Sequence, residues 1–152
     1  MVADFEHAIY FRPETGGLTL VGLIDPKEAD AIVDPDHFSE YVSDGFVLES
    51  GERLVTCYPA MEQSKIFGGY ASLYAITPDW HPIIDELPAG SGLYVCSGFS
   101  GHGFKLGPAV GLMLADLVMG VEAPEFEARM FRNGRFAANQ PVRGQYEYSI
   151  VG

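Results

Sequence analysis

Alternation of apolar and polar positions predicts a β-hairpin near the start of the chain. Residues 7–12 and 18–24 are rich in aromatic and branched apolar side chains, which favour a sheet packed on one face. The intervening Gly16-Gly17 pair can supply the positive φ angles that a hairpin connection needs. Because a two-stranded hairpin is only marginally stable by itself, we expect these strands to join a larger antiparallel or mixed sheet.

Apolar spacings of three and four residues predict helices after the hairpin. Residues 34–36 read Asp-Pro-Asp, a capping aspartate followed by proline at the first helical position, and predict that a helix begins there. Asp44 can cap a second helix, in which apolar residues recur from 47 to 58 until Pro59 ends it. A shorter helical piece is expected at 27–31.

Extended segments and turns alternate in the second half of the chain. Residues 68–77 are predicted to form a long strand, and residues 81–84 resume extended structure after a turn. Residues 93–96 form a short apolar run of the length that a buried strand needs. These segments belong to the sheet part of an α+β fold.

A glycine-rich loop follows the last of these strands and leads into an apolar helix. Residues 109–119 are apolar on nearly every face, which is typical of a buried helix, with Pro108 at its first position and Gly120 at its C-terminal cap. The loop would aim the positive end of this helix at a flat or anionic ligand. The alternative is that the glycines only allow tight packing of helix on strand.

Three named motifs do not fit this loop. A phosphate-binding P-loop needs Gly-Lys followed by Ser or Thr, and a dinucleotide fingerprint needs a glycine where Leu106 stands. A hydrolase nucleophile elbow around Ser100 lacks its closing glycine, which His102 replaces. His102 is also too close in sequence to serve as the base for Ser100, so a serine hydrolase is only a minor alternative.

Composition narrows the classes of partner. The chain has 152 residues, enough for one domain, and a net charge of −12 with only 9 Lys+Arg, which argues against nucleic acid and anionic membrane surfaces. It shows no apolar run long enough to span a bilayer and no signal peptide, so we expect a cytoplasmic protein. Cys57 and Cys96 are far apart and lack metal-ligand spacing, which predicts no metal site.

Two long motifs resemble one enzyme family. Residues 98–105 read Gly-Phe-Ser-Gly-His-Gly-Phe-Lys, and residues 74–84 read Tyr-Ala-Ile-Thr-Pro-Asp-Trp-His-Pro-Ile-Ile. Together they resemble the C-terminal part of FAD-dependent amine and amino-acid oxidoreductases of the D-amino acid oxidase superfamily, and most of all the sarcosine oxidase-like branch. Residues 10–18 and 131–136 resemble the same branch, so the likeness covers nearly the whole chain.

The resemblance implies an α+β fold that forms the substrate-side and flavin-capping part of a two-domain flavoenzyme. Residues 1–152 are expected to form a single domain: substrate-domain-like sheet and helices at 1–77, the flavin-contacting loop and buried helix at 78–120, and a tail at 121–152. The chain lacks the Rossmann βαβ unit of the family. We therefore expect an N-terminal FAD-binding half or subunit as a partner, little activity without it, and a homodimer as a further possibility.

The resemblance also implies roles for individual residues. The cofactor-binding positions of the branch match Gly101, Gly103, Phe104 and Lys105, with backbone N–H groups of this loop stabilising negative charge on the flavin. Lys105 would bind the substrate carboxylate, while His102 would help to position the substrate. Considered without the family, a lone lysine is more often solvated surface, and His102 would hydrogen-bond loop backbone.

Two positions in the 68–77 segment refine the expected substrate and cofactor chemistry. Ser72 matches a cysteine that holds the flavin covalently in monomeric sarcosine oxidases, so its hydroxyl implies non-covalent FAD. Tyr74 matches a carboxylate-binding arginine of other relatives, which favours the branch that uses Lys105 and places Tyr74 in the substrate cavity. The implied reaction is oxidation of the C–N bond of a secondary amine or N-alkyl amino acid. The alternative is a flavin-free interaction or dimerisation module.

Overall fold

The computed structural model describes residues 1–25, 31–122 and 124–143. The chain divides into two compact units, one formed by residues 1–73 and the other by the described residues that follow. The described elements are five strands in two antiparallel sheets, two α-helices and three short 3₁₀ helices, which confirms the predicted α+β class. Most of the helical piece expected at 27–31 and the end of the predicted tail lie outside the described residues.

A three-stranded antiparallel sheet organises the first unit. It contains β1 (Val2–Asp4), β2 (Ile9–Glu14) and β3 (Leu18–Leu23), in that order across the sheet. The predicted hairpin is confirmed, because Glu14 pairs with Leu18 and the connecting Gly16 and Gly17 have φ angles of 81° and 74°. Strand β1 was not predicted, since three residues are too short to show a period.

Cross-strand pairs on one face of this sheet build the core of the first unit. Ile9 lies opposite Leu23, and Phe11 lies opposite Val21. Helix α1 (Asp44–Cys57) covers them, and its Leu54 completes the buried centre with Ile9 and Leu23. Burial of such apolar side chains contributes about 1.5–3 kcal/mol each, so this small cluster holds sheet and helix together.

Helix α1 forms almost where the apolar spacing predicts it. Ser43 is the N-cap, and its Oγ accepts a hydrogen bond of 3.2 Å from the N–H of Phe46. Asp44 is therefore the first helical residue rather than the cap, and its charge favours the positive end of the helix. Tyr58 is the C-cap, and Pro59 begins the 3₁₀ helix Pro59–Gln63, so the predicted end is confirmed.

The helix predicted to begin at residues 34–36 is wrong. Asp34 acts as a cap would, with Oδ1 accepting from the N–H of Asp36 at 2.9 Å and Oδ2 lying 3.0 Å from Nδ1 of His37. A turn results, and no helix follows before α1. A cap satisfies one or two donors but does not offset the nucleation cost, and the exposed residues that follow provide little apolar packing to do so.

The long strand predicted at 68–77 is also wrong. The segment makes only isolated backbone hydrogen bonds, such as the N–H of Ala71 with the carbonyl of Glu40 at 2.8 Å. No described strand pairs with it. A residue pattern can favour an extended chain, but a strand needs a neighbouring ladder, and that depends on segments distant in sequence.

The second unit has a two-stranded sheet and helix α2. Strands β4 (Ile83–Glu86) and β5 (Tyr94–Ser97) pair antiparallel, close to the predicted segments 81–84 and 93–96. Two 3₁₀ helices, Ala128–Phe131 and Asn133–Arg135, follow α2 (Gly103–Met119). Ile84 and Ala128 are among the buried apolar residues of this unit.

Helix α2 departs from the prediction in two respects. It begins at Gly103, so Pro108 lies inside the helix rather than at its first position. Proline has no N–H, so the helix lacks one hydrogen bond, the one that residue 108 would donate to the carbonyl of Phe104. The N–H groups of the first turn lack intrahelical partners in any helix. The helix was expected to be buried. In the described part of the chain none of its residues is buried, because few other described residues pack against the helix.

No helix in the described residues is both long and apolar enough to cross a bilayer.

Candidate functional site

The glycine-rich loop turns the chain sharply between β5 and α2. Gly98, Ser100 and Gly101 all have left-handed φ angles, of 70°, 50° and 84°. Glycine adopts this conformation without strain, whereas a serine does so only where its surroundings hold it. The loop therefore requires its two glycines and a fixed environment for Ser100.

Ser100 is anchored on both its backbone and its side chain. Its N–H donates to the carbonyl of Ala75 at 3.1 Å, and its buried Oγ accepts from the N–H of Thr77 at 3.3 Å and donates to the carbonyl of Gly98 at 3.3 Å. The hydroxyl thus ties the loop to the 74–77 segment. These contacts give the hydroxyl of Ser100 a structural role, which does not favour the minor serine hydrolase alternative.

Three glycines of the loop leave room for neighbouring side chains. A Cβ atom at Gly98 would lie 2.5 Å from Cγ2 of Thr77, and one at Gly101 would lie 3.2 Å from the ring of Tyr74. At Gly103 it would lie 3.1 Å from the ring of Phe99. These glycines thus make room for side chains of the loop and of the 74–77 segment rather than for helix packing on a strand, and the absence of a Cβ at Gly101 lets the Tyr74 ring lie against the loop.

His102 occupies the N-cap position of α2 and is partly buried. Its Nδ1 lies 2.8 Å from the carbonyl oxygen of Ser100 and 3.3 Å from that of Phe99. Both partners are acceptors, so Nδ1 carries the hydrogen, and Nε2 of a neutral ring is then an acceptor. Among the described residues, Nε2 is buried and has no hydrogen-bond partner. The loop-backbone role foreseen for His102 is present, and one ring nitrogen remains for a ligand.

The first turn of α2 is open toward solvent. Phe104 and Lys105 are both exposed, Phe104 completely. In the described part of the chain, no side chain caps this helix. Its first N–H groups, which carry the positive end of the helix dipole, are therefore available to an anionic or electron-rich ligand.

The structure brings together most of the predicted site residues. Tyr74, Gly101, His102, Gly103 and Lys105 all lie at the loop and the adjoining end of α2, in the second unit. Ser72 belongs to the first unit, where its side chain is exposed.

A buried ion pair of the second unit was not predicted from the sequence. Arg135 and Asp79 form a bidentate ion pair, with Nε to Oδ2 at 2.8 Å and a terminal nitrogen to Oδ1 at 2.9 Å. The two side chains are 0% and 3% exposed. The remaining N–H groups of Arg135 donate to the carbonyls of Phe131, Arg132 and His81, so the guanidinium is saturated.

The Asp79 carboxylate is equally well satisfied. Burial by itself would raise the pKa of this carboxyl. Hydrogen bonds from Arg135 and from the N–H groups of Val142 and His81 outweigh burial, together with the positive charge of Arg135, and hold the pKa well below the usual range. The hydroxyl of Thr77 lies 3.3 Å from Oδ1 and donates to the carbonyl of His81 at 2.7 Å. The ion pair thus supports Thr77, which in turn contacts the loop through Ser100 and Gly98.

Only a weak sequence signal pointed to this pair. Asp79 and Arg135 are 56 positions apart, and no spacing rule links them. Both lie in segments that resemble the enzyme family, at 74–84 and 131–136. Opposite charges in two such segments were the available indication that these segments meet.

The residues at the loop fit a flavin. Within the described part of the chain, the N-terminus of α2 has no side-chain cap and the buried Nε2 of His102 has no partner. Such a helix end suits the electron-rich edge of the ring, and the exposed Phe104 and Lys105 can contact a bound molecule. All of these features lie within a few residues of Gly101.

Comparison with known proteins gives the family. The family model described as FAD dependent oxidoreductase matches residues 1–117. The chain belongs to the FAD-dependent oxidoreductase family. The predicted resemblance is confirmed, and the family's dependence on FAD agrees with the predicted cofactor.

Curated relatives and a solved structure extend this finding. The chain is 35% identical to FAD-dependent oxidoreductase domain-containing protein 1 of Bos taurus, over 78% of this chain and 24% of that protein. It is 45% identical to a probable sarcosine oxidase of Arabidopsis thaliana, over 50% and 19%, and 42% identical to N-methyl-L-tryptophan oxidase of Salmonella typhimurium, over 45% and 18%. The crystal structure of L-proline dehydrogenase from P. horikoshii superposes with a TM-score of 0.78 at 26% identity, covering 93% of this chain and 36% of that one. The chain thus spans a quarter or less of these curated relatives.

Proposed function

We propose that this chain forms the substrate-side, flavin-capping part of an FAD-dependent oxidoreductase that oxidises the C–N bond of a secondary amino acid. The names of three similar proteins support this substrate class: sarcosine, N-methyl-L-tryptophan and L-proline each carry a secondary amine beside a carboxylate. A site for such substrates needs one group for the carboxylate and another for the amine.

The observation that carries the proposal is the geometry of the loop at the start of α2. The ring of Tyr74 packs against Gly101, and the uncapped first turn of α2 begins two residues later. FAD, when bound, supplies the chemistry by accepting a hydride equivalent from the carbon beside the nitrogen. The N–H groups of Gly101, Gly103, Phe104 and Lys105 would stabilise negative charge on the ring, whereas the N–H of His102 already donates to the carbonyl of Phe99 at 2.8 Å.

Lys105, His102 and Tyr74 orient the substrate in this proposal. The ammonium group of Lys105 pairs with the carboxylate, an interaction that contributes about 1.5–3 kcal/mol when partly shielded from water. Nε2 of His102, the acceptor of a neutral ring, accepts a hydrogen bond from the substrate. Tyr74 provides an uncharged wall of the cavity.

FAD binds non-covalently in this proposal. The hydroxyl of Ser72 does not form the thioether bond to the flavin that a cysteine thiol forms. The ADP half of FAD needs a nucleotide-binding segment, supplied by another part of the same polypeptide or by a separate subunit. The modest share of each relative that the chain spans supports this requirement. We expect little activity from residues 1–152 without it.

The test compares substrates that differ only in the carboxylate. In a flavin-containing preparation, anaerobic L-proline should bleach the flavin absorption faster than pyrrolidine does, by about 10–100-fold, which corresponds to roughly 1.5–3 kcal/mol. The variant Lys105→Ala should lose that discrimination. The exposed lysine of the first unit offers a matched control, and Lys65→Ala should keep it.

Three results would contradict the proposal or one of its parts. A flavin-containing preparation that no secondary amino acid bleaches would exclude the substrate class. A protein that stays colourless with excess FAD and its nucleotide-binding segment present, and that elutes as a dimer, would favour the flavin-free dimerisation module instead. Equal loss of rate with L-proline and pyrrolidine in Lys105→Ala would assign the lysine a role other than carboxylate binding.

A further inference from the structure

The turn between β1 and β2 meets the end of helix α1 in a cluster of three metal-ligand side chains. Asp4 ends β1, His7 lies in the turn, and Cys57 is the last residue of α1. One ligand atom from each, a carboxylate oxygen, a ring nitrogen and Sγ, lie within 4.8 Å of one another. All three belong to the first unit, and none takes part in the site proposed above.

We propose that Asp4, His7 and Cys57 form a zinc site. The donor set is one oxygen, one nitrogen and one sulfur, which Zn²⁺ binds readily, whereas Mg²⁺ and Ca²⁺ prefer oxygen alone. Three protein ligands leave one tetrahedral position for water. Spacing along the sequence predicted no metal site, because Cys57 reaches Asp4 and His7 only through the packing of α1 on the sheet.

The distances already approach those of a tetrahedral centre. Zn–N and Zn–O bonds of about 2.0 Å and a Zn–S bond of about 2.3 Å place ligand atoms about 3.3–3.6 Å apart. Here Oδ2 of Asp4 lies 3.1 Å from Nδ1 of His7 and 3.4 Å from Sγ of Cys57. The separation between the histidine nitrogen and Sγ does not exceed 4.8 Å, so it must shorten by at most about 1.3 Å to enclose the ion.

Neighbouring groups hold the ligands in place. The N–H of His7 donates to Oδ1 of Asp4 at 3.0 Å, which orients the carboxylate and leaves Oδ2 directed at the other two ligands. Cys57 packs against the core centred on Ile9 and Leu54, so its position is fixed by the fold. The side chains of His7 and Asp4 remain 36% and 30% exposed, which gives an ion a path of entry.

Binding replaces the Sγ–H donation from Cys57 to Asp4 with a thiolate–zinc bond. The thiol proton passes to the solvent, no electron is transferred, and no further reactant is needed. The ion then links the β1–β2 turn to the last residue of α1, close to where Arg53 of the same helix donates hydrogen bonds to the carbonyls of His7 and Ala8 at 3.0 and 3.3 Å.

The chain contains its own control for the aspartate–histidine part of this site. Asp34 and His37 repeat the same spacing, with Nδ1 of His37 3.0 Å from Oδ2 of Asp34, but no described cysteine joins them. Cys96 controls for the thiol, since it is partly buried in the second unit and belongs to no such cluster among the described residues. The two controls distinguish metal binding at the three-residue cluster from binding to any aspartate–histidine pair or any thiol.

The first experiment titrates Co²⁺, a spectroscopic substitute for zinc, into the full chain. We expect near-ultraviolet thiolate-to-cobalt absorption that saturates at one equivalent and disappears when Zn²⁺ is added. Cys57→Ser should abolish the absorption, and His7→Gln should weaken Co²⁺ binding about tenfold or more. Cys96→Ser and His37→Gln should leave it unchanged. Circular dichroism of each variant checks that it folds.

A second measurement uses the unaltered protein. Zn²⁺ should slow alkylation of Cys57 by iodoacetamide, followed by mass spectrometry of the two cysteine peptides, and should not slow alkylation of Cys96. The proposal is overturned if the cobalt absorption survives Cys57→Ser or requires Cys96, if it does not saturate at one equivalent, or if Zn²⁺ leaves the alkylation rate of Cys57 unchanged.

Discussion

Replacing Arg135 with methionine tests whether the buried ion pair holds the second unit together. Methionine fills part of the space left by the long side chain, so the main change is the loss of charge and hydrogen bonds. Asp79 then remains 3% exposed with no cation beside it. Three carbonyl groups, those of Phe131, Arg132 and His81, also lose a donor.

The expected loss is large relative to the stability of the whole chain. Removing one partner of a buried pair destabilises a protein by about 3–5 kcal/mol, because the remaining charge is buried without compensation. Typical domains are stable by about 5–15 kcal/mol, so Arg135→Met should bring the second unit close to unfolding. Asp79→Asn should also be strongly destabilising, because the guanidinium of Arg135, 0% exposed, then keeps its charge without a carboxylate partner, although the amide oxygen can still accept one of its hydrogen bonds.

The assay is urea unfolding followed by tryptophan fluorescence. Trp80 is the only tryptophan of the chain and follows Asp79 directly, so its signal reports on this unit. The exposed pair of Arg129 and Glu127 in the same unit, 4.0 Å apart with side chains 83% and 57% exposed, provides the control. Arg129→Met should change the free energy of unfolding by no more than about 1 kcal/mol. An Arg135→Met variant as stable as Arg129→Met would refute the reasoning.

Two further predictions follow from the same network and the loop. Folding lowers the pKa of Asp79 from 3.8, so the ionised carboxylate stabilises the folded state. This stabilisation is fully present above pH 3.8 and is lost as the pH falls through the folded pKa. Asp79→Asn should therefore remove part of the acid sensitivity of unfolding that Trp80 fluorescence detects. Gly98→Ala should destabilise the second unit by at least about 1–2 kcal/mol, because its φ is 70° and the new Cβ would meet Thr77 at 2.5 Å. Gly107→Ala, in open space within α2, should instead stabilise by about 0.5–1 kcal/mol, and urea midpoints that rank the two alanine variants in the opposite order would contradict this account.

Local patterns predicted the elements whose causes are local. The positive φ angles of Gly16 and Gly17 close a hairpin whose pairs lie four to fourteen positions apart, and α1 follows from a cap and an apolar stripe within one segment. The same local rules failed at residues 34–36, where a capping aspartate forms only a turn. They also failed at 68–77, whose alternating pattern lacks a described strand partner.

The candidate site divides in the same way. The loop and the residues from Gly101 to Lys105 were recognised because they are contiguous and resemble the family now shown by comparison. The contact of Tyr74 with Gly101, the orphaned Nε2 of His102 and the burial of Ser100 required the tertiary structure.

The amino-acid sequence by itself determined the hairpin, helix α1, the two extended segments that become β4 and β5, and the family to which the chain belongs. Only the tertiary structure decided that Asp79 meets Arg135 and that Cys57 meets Asp4, across 56 and 53 positions of sequence. The physical reason is the range of the forces involved. Turn angles, caps and periodicity act over a few residues and leave a pattern in sequence, whereas a buried ion pair or a ligand cluster forms only after packing has brought remote segments together.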